Sequence, residues 1–165
     1  IEEELDHLSA EAREQAEELK KQAEGRTEPY NPVDFYADYH IHYNQGTLLS
    51  FSIDTTTTMA SGYDQRYFFN LDLETGQELT LTKVIGQDKL EAADKQIRTQ
   101  IEKRLAEDPS SFFDFSEEGG YPGLKADQKF YINENRQVVV VFDEYEIAPG
   151  SSGTPEFVLN LPLLK

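Results

Sequence analysis

Leu5, Leu8, Ala12, Ala16, Leu19 and Ala23 recur three or four residues apart between Glu-rich positions. That spacing predicts a helix with a narrow apolar stripe, ending near Gly25. An Ala-rich stripe suits either light packing on the rest of the protein or a stalk, and Asn31-Pro32 then breaks the pattern. From Phe35 the period changes to two. Phe35, Ala37, Tyr39, Ile41 and Tyr43 share one face, with Tyr36, Asp38, His40 and His42 on the other. Asn44-Gln45-Gly46 is turn chemistry, after which Leu49, Phe51 and Ile53 alternate with Ser50, Ser52 and Asp54, and Thr55 to Thr58 extend the run. A hairpin is predicted. Tyr67, Phe69, Leu71 and Leu73 form a third strand, and the turn Glu74-Thr75-Gly76-Gln77 leads into residues 79–83 as a fourth strand or short arm.

Helical spacing returns over residues 87–107 through Leu90, Ala93, Ile97, Ile101 and Leu105. Asp108-Pro109 has the chemistry of a helix N-cap followed by Pro at the first helical position, so residues 110–115 are expected to make a further short helical turn. Gly119, Gly120, Pro122 and Gly123 mark a loop. Phe130 and Ile132 lead through the turn 133–136 into Val138 to Phe142, a continuous apolar run typical of a central buried strand. The strand is expected to continue over residues 143–147, break at residues 148–153 and resume at Phe157, Val158 and Leu159. The predicted class is α+β: a mostly antiparallel sheet packed by a long central helix, with an N-terminal helix. Two parts are expected, an acidic helix or stalk over residues 1–28 and a single α+β domain over 29–165.

Charge narrows the partners. The 165 residues carry 15 Lys and Arg against 32 Asp and Glu, a formal net charge of −17. Such a polyanion is repelled by nucleic acid and by anionic membrane surfaces, and it favours cationic partners, although a solvated acidic surface serves solubility as well. Ten of the acids and four of the bases fall in residues 1–28. The absence of Cys excludes disulfides, thiolate metal sites and a Cys nucleophile. No run approaches the roughly 18 apolar residues of a membrane span. The chain starts at Ile1 within a helical pattern, so it is expected to be part of a longer protein, with any anchor upstream.

Little of the sequence suggests catalysis. His40 and His42 place two imidazoles on one strand face, but two ligands are too few for a metal centre and the third His, His7, lies in the N-terminal helix. The pair reads as polar residues on a solvated face. Asp143, Glu144 and Glu146 cluster at a strand end, yet alternation puts Asp143 opposite the other two, against a carboxylate dyad. No nucleophile elbow, phosphate-cradling loop or Ser-His-Asp set is present. The expectation is a non-enzyme without metal or cofactor. Two small-residue loops interrupt strong strand patterns: Met59, Ala60, Ser61, Gly62 and Tyr63, and Ala148, Pro149, Gly150, Ser151, Ser152 and Gly153. Each is either simple turn geometry or a low-entropy projection able to enter a partner's cleft.

The stretch Phe130-Tyr131-Ile132-Asn133-Glu134-Asn135, followed by Val138 to Val141 and Phe142-Asp143-Glu144-Tyr145-Glu146-Ile147-Ala148-Pro149-Gly150, resembles the C-terminal signature of RsiV-type anti-sigma factors. Upstream, the strand with Tyr39, the Thr-rich strand ending Ala60-Ser61-Gly62-Tyr63, Gln65-Arg66-Tyr67 and the helix closing Glu107-Asp108-Pro109 follow in the same order, so the resemblance spans roughly residues 35–160. It implies the extracytoplasmic domain of a bacterial membrane-bound anti-sigma factor, tethered by a missing upstream helix, with the sigma factor bound only through a missing upstream segment. It further implies that lysozyme, or a similar cationic cell-wall hydrolase, is bound in its substrate cleft, permitting regulated proteolysis and sigma-factor release. Carried onto this chain, the contact loops are Ala60, Ser61, Gly62 and Tyr63, and Pro149, Gly150, Ser151 and Ser152. Where RsiV-type sequences can carry an aromatic residue just after the Pro-Gly, this chain has Ser151, and interface anchors are typically aromatic. The alternative is a cell-wall-associated glycan-binding or accessory domain of a peptidoglycan-modifying protein.

Overall fold

The computed structural model describes residues 2–24, 34–58, 62–112 and 120–164. Helix α1 (Glu2–Ala23) is followed by β1 (Asp34–Gln45), β2 (Leu48–Thr58), β3 (Gly62–Asp72) and the short β4 (Gln77–Glu78). Next come α2 (Leu81–Ile85), α3 (Leu90–Glu107), β5 (Phe130–Ile132), β6 (Val138–Val141) and β7 (Glu156–Val158). The class is α+β as expected, and the strands divide between two sheets, of order β1-β2-β3-β4 and β5-β6-β7. The pairings β3 with β4, β5 with β6 and β6 with β7 are antiparallel.

Two compact units are present, one of residues Ile1–His40 and Ile53–Tyr67, the other of Ile41–Ser52 and Phe68–Lys165. In the first, α1 is docked rather than free: its stripe residues Leu8 and Ala12 are buried. With Phe35 and Thr57 they line a cavity of about 130 Å³. The small side chains of the stripe account for this light packing, since Ala offers little volume to fill the space beneath it. Arg66 pairs with Asp54 at 3.0 Å across β3 and β2.

The second unit holds the main core. On α3, Ala93, Ile97 and Ile101 are fully buried with Val138 and Val140 of β6, Phe157 of β7, and Phe142 and Leu159. Phe142 meets Phe157 and Tyr121 edge-on, at centroid distances of 5.7 and 5.6 Å. Burial of each such side chain contributes about 1.5–3 kcal/mol, which fixes α3 against the sheet. All four residues of β6 are buried, in keeping with the continuous apolar run and the strand's central position.

Three local expectations change. Residues 79–83 do not form a strand: Thr80 caps α2, its Oγ1 accepting from Lys83 N at 3.4 Å. The Leu79, Leu81 alternation that suggested a strand puts both residues in the core even so. After Asp108 the chain makes a turn, with Ser110 N and Oγ donating to Asp108 Oδ1 at 2.9 and 2.6 Å. Residues 113–115, the rest of the expected helical turn, lie outside the described residues, as do Gly25, Asn31 and Pro32. Finally, β6 stops at Val141, and residues 144–146 form a turn rather than more strand, closed by Glu146 N donating to Asp143 O at 3.0 Å.

Both outer edges of the three-stranded sheet are closed by side chains. Beside β5, Asn70 Nδ2 donates to Phe130 O at 2.9 Å, while Ser50 Oγ accepts from Ile132 N at 2.9 Å and donates to Asn70 Oδ1 at 2.8 Å. Ser50 and Asn70 are buried, although alternation assigns Ser50 to a polar face. Beside β7, Arg104, Gln100 and Gln96 donate to the carbonyls of Glu156, Val158 and Asn160 at 2.7, 2.9 and 3.5 Å, and Gln96 Oε1 accepts from Asn160 N at 2.8 Å. The three lie four residues apart on α3, one per turn, so a single helix face runs along the strand edge.

Candidate binding surface

The second small-residue loop leaves the core through Ile147 and Ala148, both fully buried. Pro149 is extended, at φ −65° and ψ 154°, and starts the 3₁₀ turn Gly150–Ser152. Ser152 N donates to Pro149 O at 2.8 Å, Gly153 N donates to Gly150 O at 3.0 Å, and Ser152 Oγ donates to Ser111 O at 2.9 Å. Ser151 and Ser152 are exposed, while Pro149 and Gly150 are half-buried. The loop is thus a small, closed projection tied at both ends. Of the first loop, Ala60 and Ser61 lie outside the described residues, and Gly62 and Tyr63 are the first residues of β3.

The acidic run before this loop has a structural use. Asp143 pairs with Lys129 Nζ at 2.6 Å, and its backbone N–H donates to Glu146 Oε2 at 2.9 Å. Two of the three carboxylates therefore hold the turn, and Glu144 is exposed. Between them stands Tyr145, which alternation assigns to a strand. It is 67% exposed and has φ +67°, in the left-handed region that bulky side chains rarely occupy. Its ring lies against Gly150. A Cβ built there falls 2.7 Å from Tyr145 Cε1 and closer still to its hydroxyl end, so a larger residue at 150 would displace the ring. The sign of φ at Tyr145 has no signature in composition or alternation.

His40 and His42 do not share one environment. His40 is exposed, whereas His42 is half-buried, stacked on Tyr131 at 4.1 Å and near Phe68 at 6.1 Å, with Nε2 3.1 Å from Ser52 Oγ. Tyr131 in turn donates its hydroxyl to Glu156 at 2.9 Å. The solvated-face reading therefore fails at His42, because aromatic rings of β3 and β5 cover it.

Elsewhere on α3, Asp94 accepts from Arg98 Nε at 2.7 Å, from the Tyr121 hydroxyl at 2.7 Å and from Leu124 N at 2.9 Å. Burial pushes the Asp94 carboxyl upward, but these hydrogen bonds and the Arg98 charge outweigh it and hold the pKa below 3.8. Burial, with the hydrogen bond to Asp94, pushes the Tyr121 phenol up. This network pins residues 121–124 to the helix. Among the described residues no helix is long and apolar enough to cross a membrane.

Residues 80–161 match the family described as "Protein of unknown function (DUF3298)". Over 130 residues, 77% of this chain, the sequence is 32% identical to the protein named Anti-sigma-V factor RsiV of Bacillus subtilis strain 168. The chain spans about half the length of that curated relative, 46%. Two crystal structures share the fold at 19% identity. A DUF3298 family member from Bacteroides fragilis NCTC 9343 has a TM-score of 0.66, over 96% of this chain and 64% of that one. Another from Pseudomonas aeruginosa PAO1 has a TM-score of 0.57, over 87% and 63%. Residues 80–161, from α2 to β7, are thus a DUF3298 region, and the identity to RsiV extends beyond it, consistent with an RsiV-type domain.

Proposed function

We propose that this chain is the extracytoplasmic sensor domain of a membrane-bound anti-sigma factor. It binds lysozyme, or a similar cationic cell-wall hydrolase, through the loops at Ala60-Ser61-Gly62-Tyr63 and Pro149-Gly150-Ser151-Ser152. Binding then triggers regulated proteolysis and release of the sigma factor. Sigma-factor binding and membrane tethering are assigned to other parts of the full-length protein, and the role is regulatory rather than enzymatic. The observation that carries this reading is the 32% identity to RsiV over 130 residues, a stretch longer than the DUF3298 match itself.

Two physical features support it. The 149–152 turn is small, closed by its own hydrogen bonds and fixed at Ser111, so docking would cost little ordering entropy. The net charge of −17 complements a basic enzyme and would speed encounter at low salt. Calorimetric titration with a c-type lysozyme, at low and at physiological ionic strength, tests the proposal. Saturable binding that weakens with salt is expected. No heat at high micromolar concentration in either buffer, or retention on lysozyme-free peptidoglycan, refutes it.

A further inference from the structure

We infer that Tyr145 is the aromatic anchor of the docking surface, an assignment that rests on the lysozyme-binding reading above. The 149–152 turn lacks an aromatic residue, yet one stands directly over it: the Tyr145 ring covers Gly150, and 67% of the residue remains open to solvent. Its backbone is held at φ +67°, a conformation that disfavours a bulky side chain. Strain of this kind persists only where the surroundings impose it, and it concentrates at binding and catalytic sites.

The surroundings do impose it. Glu146 N donates to Asp143 O and Glu146 Oε2 accepts from Asp143 N, closing the turn from both sides. Asp143 is held by Lys129, and Ile147 and Ala148 are buried in the core immediately afterward. Tyr has only two side-chain torsions, and the hydroxyl end of its ring already lies against Gly150. Little freedom is therefore left to lose on binding, which is the property that makes Tyr an effective interface anchor. Exposed Glu144 beside it supplies negative charge at the rim of the contact, matching a cationic cleft.

The test compares the wild-type chain with Tyr145→Asn and Tyr145→Phe for c-type lysozyme affinity and for melting temperature. Asn tolerates positive φ and has no ring, so the expected result is about a thirtyfold rise in Kd with a melting temperature equal to or above wild type. Tyr145→Phe keeps the ring and should bind within about threefold of wild type. If Tyr145→Asn binds as tightly as wild type, the anchor assignment is overturned while the lysozyme reading stands. A fall of more than about 5 °C in the melting temperature of Tyr145→Asn marks the tyrosine as a fold residue, which also overturns the assignment. Absence of wild-type binding removes both.

Discussion

At the outer edge of β5 two backbone groups are met by two buried side chains, whereas the outer edge of β7 is met by three half-buried side chains from one face of α3. An open sheet edge invites pairing with other chains, and both arrangements remove that hazard. They differ in water. Ser50 and Asn70 are 0% and 3% exposed, so no solvent can replace either side chain. Gln96 and Gln100 line an open groove of about 550 Å³ beside Val158 and Asn160, where solvent can. The dry clasp should therefore be costly to break and cooperative, and the wet ladder cheap to break and additive. Between them β6 is held on both sides, and the turn that presents Tyr145 starts one residue beyond its partner-bonded end.

The largest effect is expected at the clasp. Asn70→Ala leaves the Phe130 carbonyl without its donor and the Ser50 hydroxyl without its acceptor, both buried, and should cost about 2–4 kcal/mol in urea unfolding. Ser50→Ala should cost nearly as much. The double variant should cost far less than the sum, because either change alone already breaks the circuit. Strict additivity would show that the two residues act separately.

Next comes the network that pins the opposite side of α3. Asp94→Asn keeps the shape but loses the charge-assisted bonds, and should cost about 2 kcal/mol at pH 7. The Asp94 pKa is lower folded than unfolded, so the stabilisation is fully present above about pH 4 and disappears as pH falls through the folded value. The difference between wild type and variant should thus shrink below pH 4. A difference that stays constant to pH 2 would mean the carboxylate charge contributes nothing.

Arg104→Met tests the ladder at its strongest rung. The guanidinium donates to Glu156 O and lies 4.6 Å from the Phe157 ring centroid, so the loss should be about 1–2 kcal/mol. Freeing this edge should also make association concentration-dependent in sedimentation. A variant that stays monomeric at all concentrations would show that Gln96 and Gln100 suffice to guard β7.

How much of this was legible follows from distance along the chain. The stripes of α1 and α3 and the apolar run of β6 are local periodicities, and the structure places all three as expected. The Asn133 turn was equally readable, because Asn133 Oδ1 accepts from its neighbours Asn135 N and Gln137 N. Alternation makes Ser50 solvent-facing because the N–H it serves, Ile132, lies 82 residues away. Residues 143–147 look like strand because Tyr145 and Ile147 alternate with Glu144 and Glu146 directly after the apolar run of β6. The φ of Tyr145 reverses the chain instead. In the binding surface, Pro149 and Gly150 mark a turn, but the contact of Gly150 with Tyr145 follows from a φ that no sequence pattern encodes.

The smallest effect is expected at Gln96, and it discriminates best between the two edges. Its amide both donates to Asn160 O, at 3.5 Å, and accepts from Asn160 N, at 2.8 Å, which on geometry alone rivals the clasp. The difference is access: Asn160 is exposed and the groove is open, so water takes over both bonds when the side chain is removed. Gln96→Ala should therefore cost about 0.5 kcal/mol, offset in part by the higher helix propensity of Ala. It should be insensitive to salt, since the rung is neutral. Gln100 Nε2 bonds the backbone carbonyl of Gln96, which the substitution leaves in place, so Gln96→Ala and Gln100→Ala should add within about 0.5 kcal/mol. A cost above about 2 kcal/mol at Gln96, or strong coupling to Gln100, would show that the ladder is as dry and cooperative as the clasp, and the contrast between the two edges would collapse.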